Sequence, residues 1–235
     1  MTTVRERARE ALADSDVFGS LTDDELDRLI GYGTTTTYRS GQVIFQKGDP
    51  GDSLAVVLGG RVKISTVSLD GREALLTFVD PGHSFGEIAL LDGKPRSADA
   101  TAVEATELFV LKRRDLLAYL EQHPEIALRI IGVLCQRLRR TTEILEDVFL
   151  LQMGPRIAKA LLRLVADYGR RCPDGSVRIE VKLSQRELGS YVGLARENVN
   201  RQLGAWRGEG IIAFEAGHIV VRRLDRLKAI AEERG

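Results

Sequence analysis

The spacing of apolar positions changes period along the chain, and each change predicts a different kind of element. Thr22-Asp-Asp-Glu25 is a capping box ahead of Leu26, Leu29 and Ile30, which predicts a short helix. From Gly41 the texture becomes short β-branched runs at Val43–Phe45, 54–58, Val62–Val67, 75–79 and 108–111. Glycines at 41, 48, 51, 59, 60, 71, 82, 86 and 93 punctuate them. Regularly spaced short strands of this kind predict a sandwich or barrel. Gly59-Gly60 and Asp70-Gly71 read as tight hairpin turns.

Near Pro124 the period switches to three and four. Ile131, Leu134, Leu138, Thr141, Leu145 and Val148 form an a/d stripe on a helix expected over 125–151. A stripe on so long a helix serves either a dimer axis or packing against the barrel. Gly154-Pro155 then reads as a break, with Pro155 suited to the first turn of the next helix, amphipathic over 156–168. After the Cys172-Pro-Asp-Gly175 loop comes a short strand over 177–181. Ser184 and Glu187 form a second capping box, Gly193 a turn, and 195–206 a second helix. Two short helices about a glycine are the helix-turn-helix arrangement. Apolar runs at 211–214 and 219–221 around Ala216-Gly217 add a hairpin, or wing.

Composition adds one division. The chain of 235 residues has zero net charge. Residues 154–235 nevertheless hold 16 Lys/Arg against 10 Asp/Glu, a net +6, and the remainder carries −6. One basic end suggests a nucleic-acid partner for that end. The N-terminal Met-Thr-Thr-Val-Arg-Glu-Arg lacks a signal peptide's apolar core, and no run approaches the ~20 residues of a membrane span. The chain reads as cytoplasmic, with no membrane partner. Two cysteines, Cys135 and Cys172, are too few for an iron–sulfur cluster. His83, His123 and His218 make no metal or haem set, and no nucleophile–base constellation marks an enzyme.

One stretch raises sharper chemistry. In Phe85-Gly-Glu-Ile-Ala-Leu-Leu-Asp-Gly-Lys-Pro-Arg-Ser-Ala98, a turn at Asp92-Gly-Lys-Pro95 folds Glu87 and Arg96 toward one another. Either they pair and close a loop, or Arg96 grips an anion while Glu87 accepts hydroxyl hydrogens.

Three motifs in order carry a resemblance: Gly-Glu-Ile-Ala-Leu-Leu with Pro-Arg-Ser-Ala over 86–98, Arg-Leu-Arg-Arg-Thr-Thr-Glu over 137–143, and Ala-Arg-Glu-Asn-Val-Asn-Arg over 195–201. Over nearly its full length the chain resembles the cyclic-AMP receptor protein (CRP/FNR) family of transcription regulators. That resemblance implies an α+β fold: a jelly-roll β-barrel domain binding a cyclic nucleotide (1–124), a long dimerisation helix (125–152) and a winged helix-turn-helix domain (153–235). It makes 85–98 a phosphate-binding cassette, with Arg96 and Ser97 on the cyclic phosphate, Glu87 on the ribose 2′-OH and the Gly86 backbone against the sugar. Ile88 and Ala89 belong to the same cassette. Thr141 and Thr142 would meet the purine from the two subunits' helices. Both hydroxyls donate or accept, which favours cAMP and admits cGMP. Arg137 reaches the phosphate or stays on a solvated face. Arg196, Glu197 and Arg201 would read a TGTGA-type half-site, where Arg suits guanine and Glu suits cytosine. Ser184 and Arg186 would hold the DNA backbone, and Asn200 is a further contact. Ala195 departs from the family's frequent Ser. The resemblance also implies a homodimer, RNA polymerase as a partner and a hinge over 150–155. Two rivals stand beside this reading: a member that needs no nucleotide, and a nucleotide-binding module that acts on a protein partner.

Overall fold

The computed structural model describes residues 4–233, so the first three residues of the N-terminal stretch and the outermost ends of the first and third expected domains lie outside the described residues. The chain divides into two compact units between Leu138 and Arg139. The division falls inside the long helix, so the helix is shared between the units.

The first unit opens with α1 (Val4–Ala13) and α2 (Asp23–Tyr32). The first capping box forms as expected: Thr22 donates from its backbone N–H (2.8 Å) and hydroxyl (2.7 Å) to Glu25 Oε2. Strands β1 (Thr34–Tyr38), β2 (Val43–Phe45), β3 (Ser53–Gly59), β4 (Val62–Val67), β5 (Glu73–Val79) and β6 (Ser84–Phe85) follow. Then come α3 (Glu87–Asp92), β7 (Asp99–Ala102), β8 (Thr106–Lys112), α4 (Arg113–Gln122) and α5 (Pro124–Leu150), which crosses the division. The eight strands make two antiparallel four-stranded sheets, ordered β1-β8-β3-β6 and β2-β7-β4-β5, the jelly-roll arrangement.

The unbroken apolar run of β3 has a packing cause. Ala55 and Val57 face the barrel interior with Val62, Val79, Phe85, Ala100 and Leu108. Leu54 and Val56 face the opposite way, against Phe18, Leu29, Phe109 and Leu116. Both faces of this sheet are covered, so β3 has no polar face to alternate with. At Gly60 (φ 80°) a Cβ would lie 2.4 Å from the Ala105 carbonyl oxygen, which reserves the β3–β4 turn for glycine.

On α5, Ile126 and Ile130 are buried in the helix-side core, with Val133 and Leu134 packed against it. Leu134 therefore leaves the expected seam. The exposed apolar line is Leu128, Ile131, Leu138, Leu145 and Phe149, with exposed Cys135 and Thr142 at the intervening positions of the same three-four spacing.

The second unit begins with the last turns of α5. α6 (Met153–Tyr168), β9 (Gly169–Arg171), β10 (Val177–Ile179), α7 (Gln185–Val192) and α8 (Arg196–Gly208) follow. β11 (Ile212–Glu215), β12 (His218–Val221) and α9 (Leu224–Glu232) complete it. The helix breaks at extended Gln152, two residues before the expected Gly154, and Pro155 lies in the first turn of α6 as expected. Proline fits there because the first-turn N–H groups have no intrahelical acceptor. The strands form one antiparallel sheet, β11-β12-β10-β9, and α6 packs on α9.

Two ionic ties fix the end of α5 to this unit. Buried Asp147 accepts from Lys159 Nζ (2.9 Å) and Arg163 Nη1 (2.5 Å), both on α6. Arg140 donates to Asp167 Oδ2 (2.7 Å) and the Tyr191 hydroxyl (3.1 Å), joining α5 to α6 and α7. Burial pulls the Arg140 guanidinium down, but the hydrogen bonds to Asp167 and Tyr191 and the charge effects of both together outweigh it and hold the group well above its usual value.

Candidate functional site

The cassette is built at an edge. β6 is the outer strand of its sheet, and the chain leaves it through Gly86, which is left-handed (φ 86°) and caps the six-residue α3. A Cβ at Gly86 would lie 2.5 Å from Arg96 Nη1 and 3.0 Å from the Ser53 carbonyl oxygen. Any other residue there displaces the arginine. Gly93 (φ 71°) ends α3, and Asp92 Oδ1 accepts from Lys94 N–H (2.9 Å) to shape the returning turn. The main chain of Arg96 is pinned on both sides, donating to the Asp49 carbonyl (2.8 Å) and accepting from Gly48 N–H (2.9 Å).

Arg96 is buried, with its guanidinium 4.2 Å above the Phe45 ring. Nη1 donates to the carbonyls of Ser53 (2.9 Å) and Gly86 (3.0 Å), and Nη2 to Ser53 Oγ (2.9 Å). Three of five donor hydrogens are used, leaving Nε–H and one hydrogen on Nη2. Nε is buried with no hydrogen-bond partner. An Nε–H beside an Nη2–H is the side-on fork of an arginine, a geometry suited to two oxygens of one anion. Burial pulls the guanidinium below its usual value, opposed by the charges of Asp52, Glu87 and Asp49. It also lines a cavity of about 310 Å³ with Phe45, Phe85, Asp49, Asp52 and Ser53.

Glu87 is 2% exposed. Its Oε1 accepts from Arg137 Nη1 (2.6 Å), while the other arm of Arg137 donates to the Ser84 carbonyl. Glu87 Oε2 is buried and accepts nothing. Of the two sequence readings, the direct Glu87–Arg96 ion pair does not form. The carboxylate pairs with Arg137 instead, whose half-buried side chain lies against the cassette.

In the second unit, Ser184 caps α7: its hydroxyl accepts from Glu187 N–H (3.1 Å) and donates to Glu187 Oε2 (2.7 Å). That hydroxyl proton is committed to the cap. Gly193 (φ 67°) makes the turn, and Ala195 precedes α8 with no side-chain cap. Val199, Leu203 and Trp206 bury one face of α8, so Arg196, Glu197 and Arg201 stand exposed on the other. Arg201 Nη2 donates to Asn198 Oδ1 (3.0 Å). Asn200 is half-buried with its Oδ1 shut away from solvent. The wing turns at Ala216 (φ 50°) and Gly217 (φ 82°), both left-handed, as a two-residue hairpin requires.

Known proteins agree with this layout. A family profile described as a cyclic nucleotide-binding domain matches residues 35–123, and one described as a Crp-like helix-turn-helix domain matches residues 155–230. A CRP-like cAMP-activated global transcriptional regulator of Mycobacterium tuberculosis is 32% identical over 218 residues, 93% of this chain and 97% of that protein. The cyclic AMP receptor protein of Thermus thermophilus is 34% identical over 217 residues, 92% of this chain and 97% of that one. The chain belongs to the CRP/FNR family of transcription regulators. A solved CRP/FNR regulator of T. thermophilus superposes with TM-score 0.71 at 31% identity, over 86% of this chain and all of that one.

Within this CRP/FNR chain the expected cassette residues are not equivalent. Gly86, Glu87, Arg96 and Arg137 form one connected group. Ala89 is buried, while Ile88 and Ser97 are exposed. Thr141 and Thr142 are exposed and belong to the second unit. Sequence reasoning missed Ser53 and Phe45, which hold the Arg96 guanidinium from 43 and 51 positions away. No local spacing marks them. No helix among the described residues is long and apolar enough to cross a membrane.

Proposed function

We propose that this protein is a homodimeric DNA-binding regulator switched by a cyclic nucleotide, with cAMP as the ligand. The observation that carries it is the complementary set left over in the cassette: two donor hydrogens on Arg96 and one buried acceptor on Glu87. An anionic diester beside a free hydroxyl is the chemistry that satisfies both, as a 3′,5′-cyclic ribose phosphate does. Arg96 would hold the phosphate, with Ser97 as a second donor, and Glu87 the 2′-OH. Gly86, Ile88 and Ala89 would frame the sugar, and Thr141 and Thr142 the purine. Cyclic AMP is preferred over cyclic GMP because the relatives at 32–34% identity are named for it. The regulator would act in the cytoplasm, on double-stranded DNA and with RNA polymerase. Titrating a TGTGA-containing palindromic duplex with protein tests the reading, alone and with each nucleotide. Binding that ignores both nucleotides rejects it.

The basic second unit meets DNA through α8, with Arg196, Glu197 and Arg201 at base edges and Ser184, Arg186 and Asn200 beside them. Arg201→Ala should weaken binding to the cognate duplex by about 1–3 kcal/mol while scrambled DNA loses little. Arg186→Ala should instead lower affinity on every sequence and flatten its salt dependence. Gel shifts on both duplexes over a salt series separate the two. Equal loss on both duplexes for Arg201→Ala reduces it to a phosphate contact.

Dimerisation would use the exposed line of α5, with 1–124 as the sensor barrel, 125–152 as the dimer helix and 153–235 as the DNA-binding part. Leu138 is 67% exposed and Phe149 76%, an unusual display for large apolar side chains on a single helix. Cys135 shares that line, so two parallel copies would bring their thiols within reach of a disulfide. Mild oxidation should give a covalent dimer that Cys135→Ser abolishes and Cys172→Ser leaves intact. A seam along Leu134 and Thr141 instead would leave Cys135 uncrosslinked.

A further inference from the structure

β3 occupies the inner edge of β6, where Ser84 pairs with Val56 and the neighbouring His83 carbonyl accepts from Val57 N–H. The main-chain N–H and C=O of Ser84 therefore face outward together, because both groups of one extended residue point to the same side. Each is taken by a charge. The N–H donates to Asp16 Oδ2 (3.3 Å), with the Ser84 hydroxyl donating to the same oxygen at 3.5 Å. The carbonyl accepts from Arg137, whose other arm ends on Glu87 (2.6 Å). Asp16 Oδ1 is buried without a hydrogen-bond partner, and so is Glu87 Oε2. One carboxylate and one guanidinium thus meet the outer side of Ser84, and that guanidinium ends on a second carboxylate, each carboxylate half-satisfied. A buried carboxylate oxygen left without a hydrogen bond is costly, and a nearby cation is the available compensation.

We propose that Asp16 is a positioning residue of the nucleotide site. Through Ser84, and through the charge of its unpaired oxygen, it fixes where Arg137 lies, and so how much of the Glu87 carboxylate is free to accept a ligand hydroxyl. Asp16 itself touches no ligand atom; it acts from the turn after α1, outside the barrel strands. Its effect on the ligand rests on the nucleotide reading given above, whereas its coupling to Arg137 does not.

A double-mutant cycle tests it, using Asp16→Ala, Arg137→Ala and the pair, with Asp16→Asn as a milder variant should Asp16→Ala fail to fold. Affinity for cAMP and cGMP is measured by calorimetry, and thermal unfolding is followed without added nucleotide. Asp16→Ala should weaken cAMP binding about tenfold. Asp16→Asn should recover part of that, because its amide oxygen still accepts from Ser84. With Arg137 already replaced, Asp16→Ala should change affinity less than twofold, since the residue it positions is gone. The same loss with and without Arg137 would make Asp16 a folding residue only and overturn the inference. Should the wild type bind neither nucleotide, the ligand reading fails. The unfolding cycle then decides the coupling alone: additive shifts in melting temperature reject it, and non-additive shifts uphold it.

Discussion

Replacing Arg96 with alanine should cost this protein its nucleotide and part of its barrel at once. The ligand loses two charge-assisted contacts, each contributing about 1.5 kcal/mol or more, so affinity falls about 100-fold or further. The barrel loses three hydrogen bonds and a ring contact, and the Ser53 carbonyl loses its guanidinium donor, while the Gly86 carbonyl keeps only the Leu90 N–H (3.4 Å). A lower melting temperature should accompany the lost affinity. Arg96→Lys separates the two effects. Lysine keeps a permanent donor for the carbonyls but has no planar fork for a phosphate. Calorimetry with cAMP, beside thermal melts of both variants, should find Arg96→Lys closer to wild type in stability than in affinity. Wild-type affinity in Arg96→Lys would remove the phosphate role from this residue.

Asp147→Ala should be the most destabilising single change in the second unit. The carboxylate is 5% exposed and accepts from two cations, so its removal leaves Arg163 and Lys159 facing one another without a counter-charge. Breaking a buried pair from one side costs about 3–5 kcal/mol; the lower end applies here, because Lys159 keeps access to water. Asp147→Asn should recover only part of this, accepting hydrogen bonds but carrying no charge. Chemical denaturation of the three proteins checks the order. A loss below about 1 kcal/mol would class the cluster with ordinary surface ion pairs.

What the sequence discloses about this fold is what neighbouring residues decide. Both capping boxes and the wing turn lie where local spacing puts them, because their partners are three or fewer residues away, and the β-branched runs at Val43–Phe45 and Val62–Val67 form the expected strands. β1 escapes notice because Thr34–Tyr38 is mostly threonine, a strand former that carries no hydrophobic signal. β6 has only two residues, and β7, Asp99–Ala102, has no apolar side chain larger than alanine. On α5 the expected stripe and the exposed line share Ile131, Leu138 and Leu145 but part at the positions between, since one helix serves two surfaces and only packing assigns Leu134 to the core. The cassette behaves the same way. Its residue types are plain in the motif, but which cation Glu87 meets depends on Arg137, 50 residues on.

The ties on α5 also bear on how such regulators exchange parts. A sensor joined to a foreign DNA-binding half at Leu151, where the helices break, would separate Arg140 from Asp167 and Asp147 from Lys159 and Arg163. A crossover just after Leu138 would carry each acid and its bases together. For this chain the recombination point that preserves its charges lies within a helix, and a half transplanted at the visible joint arrives with its own electrostatic debt.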